Sequence, residues 1–150
     1  MEIKIQILDE NLPYPRYAHP GDAGLDLCST INTVIKPFER KLIPTGIKIE
    51  IPEGYAGFIQ PRSGLAVKHG VSLVNTPGLI DCGYRGEIKA ILINFDKKDD
   101  FKVKRGDRIC QLVIMKIEHA NLIYQKNLSK SDRGEKGFGS SGLTIINDGL

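Results

Sequence analysis

The stretch Lys41 to Gly70, KLIPTGIKIEIPEGYAGFIQPRSGLAVKHG, decides the fold. Apolar and β-branched residues alternate with polar ones through Lys41–Ile43, Gly46–Ile51 and Ala56–Gln60, which is the period of half-buried strands. Pro44 and Pro52 stand between these runs and stop them. After Pro61 the pattern changes. Gly64–His69 reads as one short helix, with Ser63 placed to cap its N-terminus and Gly70 to close its C-terminus. Its first amides follow directly on Arg62, an arrangement suited to an anion.

The same pattern extends outward. Strands are predicted at Ile3–Leu8, Leu25–Cys28, Thr33–Ile35, Val71–Val74, Glu87–Asn94, Phe101–Val103, Arg108–Ile114 and Ala120–Tyr124, with turn signals at Pro20-Gly21, Pro77-Gly78, Gly83 and Gly106. Many short strands without a long segment of helical period mean an all-β sandwich or barrel, read here as a jelly roll. The body is expected over residues 1–128 and a Gly/Ser-rich, flexible tail over 129–150, with no internal repeat.

At 150 residues the chain suits one domain with a proper core, and 41% hydrophobic with 26% charged residues is a globular composition. The net charge of +3 is mild and its basic residues are dispersed, so no nucleic-acid partner is expected. Cys28, Cys82 and Cys110 are odd in number and widely spaced, which argues against a disulfide framework or a structural zinc site. His19, His69 and His119 lack ligand spacing. No apolar run approaches a membrane span and the N-terminus alternates like a strand, so the expected compartment is the reducing cytoplasm.

Five segments carry candidate chemistry. In Pro61-Arg62-Ser63-Gly64-Leu65-Ala66, Arg62 offers a planar fork of donors, Ser63 a hydroxyl, and Gly64 room for close approach; the same residues also suit an ordinary loop into a helix. Asn75 to Glu87, NTPGLIDCGYRGE, reads as a hairpin turning near Cys82-Gly83. Its Asp81 could act as a general base or merely support the turn. Asp26 lies inside a strand-like run, where Asp is depleted, and therefore calls for a partner, either an internal Arg or a metal-bound water. Gln111 lies among apolar neighbours in RGDRICQLVI without an obvious reason. The tail segment Arg133 to Gly142, RGEKGFGSSG, holds four glycines around one aromatic ring. Ordering it costs on the order of 10–20 kcal/mol of backbone entropy, so it is either a disordered end or a segment that orders over a ligand.

AGLDL, PRSGLA, GLIDCGYRGEI, RGDRICQLVI and RGEKGFGSSG, in that order over Ala23 to Gly142, resemble the five motifs of the homotrimeric dUTP pyrophosphatases, the dUTPases. The resemblance implies a β jelly roll with a swapped C-terminal segment. It also implies hydrolysis of dUTP to dUMP and pyrophosphate with Mg²⁺, which keeps uracil out of DNA and supplies dUMP for dTMP synthesis. On the same footing, Asp81 matches the acid that activates water for in-line attack at the α-phosphate, and Tyr84 the ring beneath the deoxyribose. Asn75 and the main chain around Leu79, Ile80 and Lys89 match the uracil-reading hairpin. Arg62, Ser63, Gly64 and Gln111 match the phosphate cradle. Asp26 matches an acid in the outer shell of a Mg²⁺ held by substrate phosphates and water, with no direct protein ligand. Arg133 matches the γ-phosphate clamp, Phe138 the ring that covers uracil, and Gly139, Ser140 and Ser141 the tail's phosphate contacts. The implied assembly is a homotrimer with shared sites. Ser140-Ser141 departs from the frequent Ser-Thr pair but keeps the hydroxyl, and Cys82 is an unusual neighbour for Asp81.

Two other readings stay open on the sequence. The dCTP deaminases share the fold and need a catalytic Glu, for which Glu87 is the available acid, and a nucleotide-binding protein without turnover would keep the same pocket. If the tail is a lid, deleting Arg133 to Leu150 leaves a folded protein with most of its turnover lost, because stacking and phosphate contacts of roughly 1–3 kcal/mol each are removed. Undiminished turnover by the truncated chain would remove the lid role.

Overall fold

Eleven short strands and one helix make up the regular structure of residues 1–137, the part of the chain that the computed structural model describes. Two units are distinguished, Met1–His119 and Ala120–Leu150. The first contains all the regular elements.

Four antiparallel strands, β2 (Gly24–Cys28), β11 (Arg108–Lys116), β6 (Tyr55–Gln60) and β8 (Gly78–Ile80), form one sheet in that order. A second sheet has the order β4 (Arg40–Pro44), β9 (Lys89–Asn94) and β7 (Val71–Leu73). The pairs β1 (Lys4–Ile7) with β5 (Ile47–Glu50) and β3 (Thr33–Ile35) with β10 (Phe101–Val103) complete the set. One buried cluster draws on both sheets and both pairs, from Leu27, Ile59 and Leu112 to Ile43, Leu92, Ile49 and Val103. The result is the predicted all-β jelly roll. Each fully buried Leu or Ile in it contributes roughly 1.5–3 kcal/mol relative to exposure.

Strand alternation decides what faces the site. In β2 Leu27 points into the core, so Gly24, Asp26 and Cys28 share the other face. In β11 Cys110 and Leu112 are buried, which turns Gln111 and Val113 outward beside Asp26 and Gly24. A register shift between Arg108 and Cys110 adds one residue to β11. Ile109 and Cys110 are therefore both buried, and Arg108 comes onto the same face as Gln111 although three positions separate them. Burial pushes the Cys110 thiol up to about 12 and raises that of Cys28.

Three local expectations are corrected. Ser63 is not the cap of the helix: α1 spans Ser63–His69, Arg62 is its N-cap in an extended conformation, and no side chain caps the first amides. Gly70 does close the helix, in the left-handed region at φ 61°. The segment after Asn75 is not a paired hairpin. β8 pairs with β6 and β9 pairs with β4 and β7, so the chain crosses from one sheet to the other, although it does turn at Cys82-Gly83, where the Tyr84 amide bonds the Asp81 carbonyl at 3.1 Å. Finally, Ala120–Tyr124 forms no strand, and Leu122, Ile123 and Tyr124 are exposed. Alternating apolar residues become a strand only against a partner edge, and the described residues of that unit supply none.

Asn94, fully buried at the end of β9, gives its amide to the carbonyls of Ile35 at 3.0 Å and Asp99 at 2.8 Å, while its oxygen accepts the Asp96 amide at 2.9 Å. Asn94→Ala strands these groups without partners. The expected loss is about 2–4 kcal/mol of unfolding free energy in urea, and a loss under roughly 0.5 kcal/mol would show that the network is dispensable.

Candidate functional site

A carboxylate on a sheet face is stable when cations meet it, and Asp26 has two. Its Oδ1 lies 3.1 Å from Nε of Arg62 and its Oδ2 3.0 Å from Nη1 of Arg108. Arg62 also donates through Nη1 to the Arg108 carbonyl at 2.9 Å, which ties the loop before α1 to the start of β11. Gln111, opposite both Asp26 and Gln60 in the register, donates to the Pro61 carbonyl at 3.0 Å and so holds the same loop from the other side. Gly24 leaves the room for this: a Cβ there would lie 2.5 Å from Oε1 of Gln111. The partner that Asp26 called for is a pair of arginines, of which Arg62 is half-buried and Arg108 exposed.

These groups line one cavity of about 510 Å³, together with Ser63, Gly64, Gln60, His19, Asp22 and Val113. The Asp22 carboxylate is occupied by the His19 amide at 2.8 Å. The pairing at Asp26 still leaves N–H groups of both guanidiniums without an acceptor in the cavity. Exposed Ser63 and Gly64 begin a helix whose first amides have no intrahelical acceptor. The cavity thus offers a guanidinium fork, a hydroxyl, an amide side chain and free main-chain donors, which is the equipment for oxyanions.

Arg108 was missed by sequence reasoning. It stands within RGDRICQLVI, but only the bulge shows that it shares a face with Gln111. The turn before it is fixed by Arg105, which holds the Asp9 carboxylate through both oxygens and keeps it below its ordinary range. The Asp107 carboxylate closes that turn by accepting the Lys104 amide at 2.8 Å.

The second group of candidates lies elsewhere, on β8 and the crossing that follows. Asp81, Tyr84 and Asn75 do not line the Asp26 cavity. Asp81 is exposed at the turn, and the Tyr84 hydroxyl donates to the Glu87 carbonyl at 3.0 Å. Asn75 packs against Gly78, where a Cβ would lie 3.3 Å from its amide nitrogen. β8 ends its sheet, so the outer main-chain edge of Leu79 and Ile80 is unpaired among the described residues. Lys89 begins β9 and carries an ion pair to Glu87 at 3.6 Å. Cys82 is half-buried against the core.

In the C-terminal unit, Arg133 donates to the Lys136 carbonyl at 3.0 Å within a tight turn. Phe138, Gly139, Ser140 and Ser141 lie outside the described residues. Among the described residues no three His, Cys, Asp or Glu side chains gather as a metal site, and no helix is long and apolar enough to cross a membrane.

Residues 10–142 match the model of the dUTPase family. The deoxyuridine 5'-triphosphate nucleotidohydrolase of Thermobifida fusca is 54% identical over 142 residues, 95% of this chain and 79% of that protein. The dUTPase of Staphylococcus bacteriophage 80alpha, solved with dUPNHPP, aligns with a TM-score of 0.86 at 31% identity over 95% of this chain and 99% of that one. A mutant dUTPase from phage phi11 of S. aureus, described as coordinating a structural Mg(II) ion, gives a TM-score of 0.78 at 26% identity over 87% and 100% of the two chains.

Arg62→Ala removes the fork while leaving Asp26 paired to Arg108. Tripolyphosphate, titrated calorimetrically, is expected to bind roughly tenfold or more weakly, as loss of a charge-assisted contact of about 1.5–3 kcal/mol requires. Unchanged affinity would show that the cavity does not hold oxyanions through Arg62.

Proposed function

The chain belongs to the dUTPase family, and on that premise we propose how its residues divide the work. The reaction is hydrolysis of dUTP to dUMP and pyrophosphate. The observation that carries the assignment of roles is the pair of guanidiniums on one carboxylate beside Ser63, Gly64 and Gln111, which leaves several N–H and O–H donors for phosphate oxygens.

Asp81 takes a proton from water as that water attacks the α-phosphorus in line. The bond from the α-phosphorus to the bridging oxygen breaks, and the electron pair leaves with pyrophosphate. Arg62, Gln111, Ser63 and Gly64 hold the phosphates, and charge moving toward the leaving group is stabilised by donors already fixed to the protein. Asp26 fits a place in the outer shell of Mg²⁺. Each of its oxygens accepts one arginine and keeps a further lone pair for a water on the metal. Mg²⁺ bound to the substrate phosphates, with a water toward Asp26, would supply charge neutralisation and orientation of the α-phosphate.

Uracil and cytosine differ in the group at position 4 and in the protonation of N3. Fixed main-chain groups that pair with one leave buried groups unpaired with the other. The open edge of β8 at Leu79 and Ile80, with Asn75 and the main chain of Lys89, is our candidate for that reading, and Tyr84 supports the deoxyribose. The C-terminal segment, residues 129–150, closes the site through Arg133 on the γ-phosphate, Phe138 on uracil, and Gly139, Ser140 and Ser141 on phosphates. Its composition suits ordering only over a ligand.

The cradle and the Asp81 turn occupy different places on one chain, so we assign each site to two or more subunits of a homotrimer in the cytoplasm. Glu87, the acid that a dCTP deaminase would need, accepts the Gly46 amide at 3.0 Å and pairs with Lys89, which makes it a fold contact.

Pyrophosphate release with Mg²⁺ is measured for dUTP, dCTP, dTTP and UTP, with ammonia followed in the dCTP reaction. Release is expected from dUTP and is expected to fall about 10²–10⁴-fold in Asp81→Asn. Co-expressed Asp26→Asn and Asp81→Asn chains should recover up to about a quarter of wild-type turnover by random assembly of a shared site. Ammonia from dCTP without dUTP turnover would overturn the reading, and no recovery in the mixture would overturn the shared site.

A further inference from the structure

The crossing from β8 to β9 is fixed more tightly than its exposure requires. The Arg85 guanidinium donates to the carbonyls of Cys82 at 2.6 Å and Tyr84 at 2.9 Å, which holds the turn from below. The Glu87 carboxylate accepts the Gly46 amide at 3.0 Å, and the Glu87 carbonyl accepts the Tyr84 hydroxyl at 3.0 Å. Tyr84 is thereby fixed at both ends, its main chain by Arg85 and its ring tip by Glu87. The residue remains 44% exposed.

Against the tip of the ring lies Gly86. A Cβ at that position would collide with the Tyr84 hydroxyl oxygen and fall 2.5 Å from Cζ and 3.0 Å from Cε2, closer than packed carbons approach. The nearest atoms are the far end of a side chain and not backbone. A methyl group here is accommodated by swinging the ring about its side-chain torsions, while the turn keeps its bonds. The swing carries the hydroxyl away from the Glu87 carbonyl.

We propose that Gly86 is a specificity-determining positioning residue. By carrying no side chain it seats the Tyr84 ring low on the crossing, and that seating fixes whether the 2′ position of a bound nucleotide meets the ring face or open space. The proposal rests on the reading of Tyr84 as the sugar-facing ring. A fixed ring excludes a hydroxyl by occupied volume, and a displaced ring surrenders that volume while leaving the phosphate cradle intact.

The ratio of kcat/KM for dUTP to that for UTP is measured for wild type, Gly86→Ala, Tyr84→Phe and Tyr84→Ala, with Tm recorded for each. Gly86→Ala is expected to lower the ratio about tenfold or more, the scale on which one small group is discriminated in a pocket. Its Tm should stay near wild type. Tyr84→Phe keeps the ring but releases it from Glu87, and is expected to lower the ratio less, in the same direction; it decides the matter if Gly86→Ala does not fold. A ratio unchanged in Tyr84→Ala would remove the sugar-facing reading, and the proposal with it. A ratio lowered in Tyr84→Ala but at the wild-type value in Gly86→Ala, or in Tyr84→Phe where Gly86→Ala does not fold, would overturn the positioning role alone.

Discussion

The Asp26 carboxylate stands between two guanidiniums that reach it from distant parts of the chain, Arg62 ahead of the helix and Arg108 at the head of β11. Each arginine alone would be a long side chain with several rotamers, and its immobilisation costs conformational entropy. Together on one acid, with Arg62 also bonded to the Arg108 carbonyl, they are fixed before any ligand arrives. Sharing one carboxylate leaves each guanidinium with further N–H groups directed by the same contact. The contacts that stabilise the fold in this region therefore also set where the remaining donors of the cavity stand.

Strands were legible where alternation meets β-branched residues, and every strand but β8 falls within the predicted runs or overlaps them. β8 was legible only as the first arm of a hairpin within NTPGLIDCGYRGE and without bounds, because three residues, Gly-Leu-Ile, are too few to show a period. The turn at Cys82-Gly83 was legible as well, but not the destinations of the two arms. Local turn chemistry says that a chain reverses and is silent on which sheet receives it. Ser63 failed as a cap for a related reason. A hydroxyl before an apolar run suits the N-cap, yet the extended residue is Arg62, whose side chain is turned to Asp26, and the helix starts one residue earlier.

The candidate site was legible in its residue types and less so in its geometry. An Asp in a strand and a Gln among apolar neighbours are each anomalous in composition, and both lie on the cavity face. Arg108 could not be found this way. In an unbroken strand, positions 108 and 111 would point to opposite faces, and the bulge that reverses this leaves no mark in the sequence except two successive buried residues, Ile109 and Cys110. Glycine was equally opaque. Gly24 is required by where the side chain of Gln111 lies, and Gly86 by where that of Tyr84 lies, and both are relations between residues rather than properties of the glycines.

The passage of the chain from β8 to β9 is anchored in two different sheets, with Asp81 suspended on the span between them. A hairpin closed on itself would travel as a rigid piece with one sheet. A bridge fixed at both banks instead converts any relative slide of the layers into a shift of its middle. A change in core volume that slides one layer on the other, as at Leu92 or Leu112, would move the span as well, so the position of the Asp81 carboxylate depends on both layers and not on its own turn alone.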